Sequence, residues 1–207
     1  CVKEYGDLVD RYKADAAARN NLALCLTYLR EMPRAVDEMR QVVKILPNRA
    51  LYRENLALYA GYGSDFAAAE QLARDMPEPG LFGLLALAFA QLGQGQVAAA
   101  VDTYQAIGKV DAQGASYTAS GLGDLAIYEG KFAEGVRLLE KGAAADLASE
   151  DPDRAANKLA AKAHGLLLLK RSEAAAAAAD QALTHSQSVK IRFLAARVFV
   201  ETGRTAQ

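Results

Sequence analysis

Apolar residues recur along this chain at spacings of three and four. Leu81, Leu84, Leu85, Ala88, Phe89 and Leu92 share one helix face in this way. No segment shows the Val/Ile/Thr alternation of a strand bounded by hairpin turns. Alanine and leucine dominate, with Glu, Gln, Lys and Arg between them, so the whole chain reads as helical. Breakers cut the pattern at Pro47-Asn48, Pro77-Glu78-Pro79-Gly80, Gly108, Gly114, Gly130 and Asp151-Pro152. The last of these pairs an N-cap with Pro at the first helical position. The segments between breakers are the size of helical hairpins.

The pattern also repeats. Asn21-Leu22-Ala23-Leu24 returns as Asn55-Leu56-Ala57-Leu58 about 34 residues later. A fixed period of that size predicts stacked hairpins, none able to bury its apolar face alone. Full repeats are expected at about 16–49, 50–78, 79–115, 116–155 and 156–188, forming one array with half-repeats at 1–15 and 189–207. Leu22, Ala23, Leu26, Met32, Ala35, Met39, Val42 and Pro47 form the first packing set. Leu56, Ala57, Ala60, Phe66, Ala69, Ala73 and Met76 form the second, and Leu122, Gly123, Ala126, Gly130, Phe132, Gly135, Leu139 and Gly142 the fourth. The repeat at 156–188 is Ala-rich and degenerate. Half-repeats at both ends are expected of a piece cut from a longer polypeptide, with uncapped ends through which copies could associate.

Leu22-Ala23, Met32, Ala35 and Pro47 in the first repeat, and Leu122-Gly123, Gly130 and Phe132 in the fourth, resemble the tetratricopeptide-repeat pattern. That pattern has small residues where helices approach, a large residue after the turn and a terminal proline. The chain has no tryptophan where the family carries one, and its terminal prolines fail after the first repeat. The resemblance implies an all-α, right-handed α-solenoid of antiparallel helix hairpins, with the first helix of each pair lining a concave groove. A second resemblance rests on Ala-Arg-Asn-Asn-Leu-Ala at 18–23 and Tyr-Arg-Glu-Asn-Leu-Ala at 52–57, a cadence similar to the repeat tails of bacterial serine/threonine kinases. It implies, as the alternative, a regulatory or sensory extension of a larger bacterial kinase or transcriptional regulator.

Composition narrows the partners. With 207 residues, 52% hydrophobic and 24% charged, the chain can bury a core. A net charge of -1 offers no basic field for nucleic acid or an anionic membrane surface. The least charged run, Leu81 to Val101, is interrupted by Gly93-Gln94-Gly95-Gln96 and falls short of a membrane span. Two cysteines make no disulfide framework, and Cys25 reads as a small buried thiol. Cys1 as a lipid-bearing residue would require a signal peptide before it. The compartment stays open, with a cytoplasmic one ranked ahead of a periplasmic one.

The chemistry of catalysis is sparse. His164 and His185 lie apart, with no cysteine nearby for zinc, and no metal or cofactor is expected. Gly93-Gln94-Gly95-Gln96-Val97-Ala98 satisfies a loose dinucleotide pattern but follows an amphipathic helix, so it reads as an interhelical turn. Glu70, Asp75, Glu134 and Glu140 are expected on solvated faces. The chain itself therefore reads as a noncatalytic scaffold for a peptide or protein segment. The resemblance places Asn20, Asn21, Leu24 and Tyr28, then Glu54, Asn55, Leu58 and Tyr62, then Leu84, Leu87 and Gln91 along the groove. Tyr117, Asp124, Tyr128, His164 and Arg197 continue the series. Asparagines can pair with a peptide backbone, and tyrosines combine apolar area with a hydroxyl. Packing between neighbouring hairpins is the competing role for both. Basic residues are missing from the first two repeats, which disfavours capture of a terminal carboxylate there.

Overall fold

A computed structural model describes residues 1–204, and residues 205–207, at the end of the expected half-repeat 189–207, lie outside the described residues. Among the described residues there are twelve α-helices and no strand. In order they are α1 (Val2–Arg11), α2 (Ala16–Tyr28), α3 (Met32–Ile45), α4 (Ala50–Tyr62), α5 (Phe66–Arg74) and α6 (Leu81–Gly93). Then follow α7 (Val97–Ile107), α8 (Ala112–Tyr128), α9 (Phe132–Ala148), α10 (Pro152–Leu168), α11 (Ser172–His185) and α12 (Val189–Glu201). The chain divides into two compact units, Cys1–Ile107 and Gly108–Gln207.

Local chemistry explains where the helices start and stop. Asp15, Asp65, Asp111, Asp151 and Ser188 each accept a hydrogen bond from a backbone N–H three residues on. Each cap contributes about 1 kcal/mol by satisfying a donor the helix leaves open. The α2–α3, α4–α5, α6–α7, α8–α9 and α10–α11 turns each place one residue in the left-handed region: Arg30, Ser64, Gly95, Gly130 and Lys170. Gly203 does the same after α12. The next N–H then closes onto a carbonyl of the helix just ended, as in Glu31 to Leu26 at 2.9 Å and Lys131 to Ala126 at 2.8 Å. This closure recurs at Asp65, Gln96, Arg171 and Arg204, so one turn chemistry punctuates the chain.

In the first unit, each helix packs on the next in sequence, and α4 also meets α6. Leu22, Ala23 and Leu26 of α2 and Ala35, Met39 and Val42 of α3 are all buried. Ala60, Ala69 and Ala90 form a further cluster, sealed by Phe66 and Leu72. In the second unit, α8 packs on α9 and α10, and α10 on α9, α11 and α12. Ala163, Leu166, Ala175, Ala179, Ala195 and Phe199 fill one core cluster there. Ala155, Ala156, Leu159, Ala182 and Ile191 fill another. Alanines let these helices approach closely, so the Ala-rich repeat forms a complete α10–α11 hairpin. The α8–α9 crossing is closer still. A Cβ on Gly135 would stand 2.8 Å from the carbonyl oxygen of Gly123, which leaves room only for glycine.

Two expectations change. Gly114, read as a breaker, lies in the first turn of α8, where its N–H bonds the Asp111 carboxylate at 2.7 Å. Cys25 is buried but is not a thiol: α1 lies on α2, brings the Cα atoms of Cys1 and Cys25 to 6.0 Å, and the two sulfurs form a disulfide.

Candidate functional site

The face formed by α8, α10 and α12 encloses a concavity of about 600 Å³ within the second unit. Its residues come from helical periodicity. Ser116, Tyr117, Ser120 and Asp124 share the inner face of α8, while Arg154, Asn157, Lys158, Ala161 and His164 share that of α10. Lys190, Leu194, Arg197, Val198 and Glu201 complete it from α12. Leu139 and Leu167 supply apolar floor and wall. The hollow is therefore amphipathic, with four cations, two carboxylates, hydroxyls and an amide set around aliphatic surface.

Beneath it runs a buried polar network. Lys158 donates to the Ser116 hydroxyl at 2.7 Å and to the Asp146 carboxylate at 2.5 Å, joining α10 to α8 and α9. The residues are only 2%, 6% and 5% exposed, so each satisfies the others in place of water. Through these two bonds Lys158 ties α10 to both neighbouring helices. Above this network, the Arg154 guanidinium sits 5.7 Å from the centre of the Tyr117 ring and bonds Asp151 at 3.2 Å, which fixes its head at the rim.

Asp124 stands where these groups converge. Crowding by the surrounding protein pushes its carboxyl above the ordinary carboxylate range, opposed by the charges of Lys190, Lys158 and His164. The folded-state pKa thus exceeds the unfolded one, so ionisation costs stability above the folded value, and that cost vanishes below the unfolded value. Asp124→Asn is expected to raise the urea midpoint near pH 7, and to lose that advantage below about pH 3.5. An equal gain at both pH values would contradict the assignment.

The first unit carries a different surface. Asn55 donates to Asn20 at 2.9 Å, and Asn20 leans toward Asn21 at 3.5 Å, so the asparagines link α2 to α4 across the repeat. Tyr28 is 79% exposed and Tyr62 50%, with the Tyr62 ring 6.0 Å from Phe89 of α6. Tyr59 lies among Tyr28, Tyr62 and Thr27, and its burial pushes its phenol upward. Leu24 is exposed and Leu87 half-buried. Tyr128, on α8 of the second unit, is exposed outside the concavity.

Three expected groove residues are interior. Glu54 is buried and accepts the Gly80 N–H at 2.8 Å, capping α6 with a carboxylate that stabilises its positive end. Gln91 is buried and accepts from the Thr103 hydroxyl at 2.7 Å. Leu58 is buried as well. These positions look solvated in a lone helix, but neighbouring helices cover them. Sequence reasoning passed over Ser116, Ser120, Arg154, Asn157, Lys190 and Glu201. Their signal was available in the spacing 154, 157, 158, 161, 164 on α10, masked by the alanines around it.

No family profile matches the chain, and no curated protein matches it. Solved structures do. A tetratricopeptide repeat protein from Parabacteroides merdae superposes with a TM-score of 0.75 at 17% identity, covering 96% of this chain and 76% of the other. The Cut9–Hcn1 hetero-tetramer of the APC/C gives 0.66 at 16%, covering 97% of this chain, which spans 39% of that one. YrrB, described as a TPR protein with an unusual peptide-binding site, gives 0.51 at 14%, covering 95% and 100%. At such identities the likeness is one of fold, and that fold is the tetratricopeptide repeat. Among the described residues no helix is long and apolar enough to cross a membrane.

Proposed function

We propose that the chain is a noncatalytic scaffold that holds a peptide or protein segment against the first helices of its hairpins. The observation that carries this reading is the α8–α10–α12 concavity, where charged and hydroxyl side chains turn away from the core around apolar surface. Such a hollow suits an extended or helical segment of mixed charge, its carboxylates near Lys190 and Arg197 and its apolar side chains on Leu167 and Leu194. The aromatic surface of Tyr28, Tyr62 and Phe89 offers a second, less charged contact in the first unit. The peptide-binding site named for YrrB gives a parallel within the same fold.

A phage-displayed library of random twelve-residue peptides tests the reading. Binders of about micromolar affinity, near 8 kcal/mol, are expected from it. Arg197→Glu with Lys190→Glu should weaken the selected acidic peptides at least about tenfold, through like-charge repulsion, with unchanged helicity. Failure to enrich any sequence, or binding indifferent to those charges and to Tyr28→Ala with Tyr62→Ala, would contradict the proposal.

A further inference from the structure

The turn after each first helix of the second unit fixes a common register. Asp124 of α8, His164 of α10 and Arg197 of α12 each stand six residues ahead of the left-handed turn residue, at Gly130, Lys170 and Gly203. The antiparallel helices α9 and α11 stand between them in sequence, so the three first helices run the same way and the three side chains form one row across them. All three are exposed and line the concavity. The helix α10 lies beside α8, and α12 beside α10, yet Asp124 and His164 stay open. The row therefore faces the hollow even where a following first helix is in place.

Charge sets what the row accepts. Lys158 is engaged by Asp146 and Arg154 by Asp151, whereas among the described residues no ion pair engages Asp124 or Arg197. Burial raises the Asp124 carboxyl against the pull of Lys190, Lys158 and His164, so the chain compensates this charge incompletely. One end of the row thus calls for a cation and the other for an anion. Packed helices lie about 8–10 Å apart, which sets Asp124 and Arg197 about 16–20 Å from each other over two helix spacings. An extended chain rises about 3.3 Å per residue, so about five residues bridge that distance. We infer that the hollow selects an extended segment with a Lys or Arg on Asp124 and an Asp or Glu about five residues away on Arg197, its backbone passing His164 between them. This rests on the scaffold reading above and adds to it a required spacing of opposite charges.

Capped synthetic peptides on a Gly/Ser/Leu frame, titrated against the full chain by fluorescence anisotropy, test it. They carry one Lys and one Asp at that spacing, the same pair side by side, two Asp, or two Lys. The spaced peptide should bind at least about tenfold tighter than each of the others. Asp124→Lys should transfer the preference to the two-Asp peptide, and Arg197→Glu to the two-Lys peptide, with helicity unchanged. Asp124→Asn, which keeps the shape of the side chain, should erase the spaced peptide's advantage over one whose Lys is replaced by Ala. Equal binding of the four peptides, or a ranking that both charge reversals leave in place, would overturn this inference, and library-selected peptides that still bind would leave the scaffold reading standing. A library that yields no binder would overturn both.

Discussion

Lys158→Ala is expected to lower the free energy of unfolding by about 3–5 kcal/mol, the largest loss of any single polar side chain here. The ammonium lies between Asp146 and Ser116 at 2% exposure, so its removal strands a buried carboxylate and a hydroxyl together. Desolvation makes the orphaned Asp146 costly, and the truncation also leaves a cavity beside Gly142, whose Cβ position stands 2.9 Å from the Lys158 stem. Replacing both charges, as Lys158→Met with Asp146→Leu, should recover most of the loss, since a buried pair adds little over a well-packed apolar one. Urea unfolding followed by circular dichroism reads both variants. A single substitution costing under about 1 kcal/mol would mean that water reaches the pair.

Ala35→Glu should open the first hairpin. Ala35 is fully buried on α3, and both α2 and α4 pack against that helix. A carboxylate there would enter the helix contact without a partner, since Arg19, the cation that pairs across α2 and α3, is already engaged by Glu38. The penalty is at least about 3 kcal/mol, beyond what neighbouring hairpins can absorb. Hydrogen exchange should show lost protection in α2 and α3, with α10 and α11 retaining theirs, because repeat stability is built from near-neighbour contacts. Unchanged protection at α2 would place Ala35 on the surface and refute the register.

Much of the architecture was legible because its determinants are local. The period that carries Asn21-Leu22-Ala23-Leu24 into Asn55-Leu56-Ala57-Leu58 reports the α2 and α4 faces directly. Asp151-Pro152 marks the start of α10, and Gly130 the turn between α8 and α9. What stayed hidden depends on which neighbour lies over a helix. Glu54 and Gln91 share a helix face with residues that look solvated, and only α6 and α7 reveal that they are bonded inside. Lys158 reads like any surface lysine until Asp146 arrives from α9 and Ser116 from α8. The disulfide escaped for the same reason, since two cysteines at a separation of 24 residues do not announce that α1 folds back on α2.

The central claim is that the first helices, α8, α10 and α12, carry the binding face of the second unit. The most direct measurement is the backbone and side-chain amide chemical-shift map of the full chain titrated with a library-selected acidic peptide. The account predicts perturbations concentrated at Asp124, Asn157, His164 and Arg197. Perturbations gathered instead on the outer residues of α9 and α11, with these four unmoved, would contradict it.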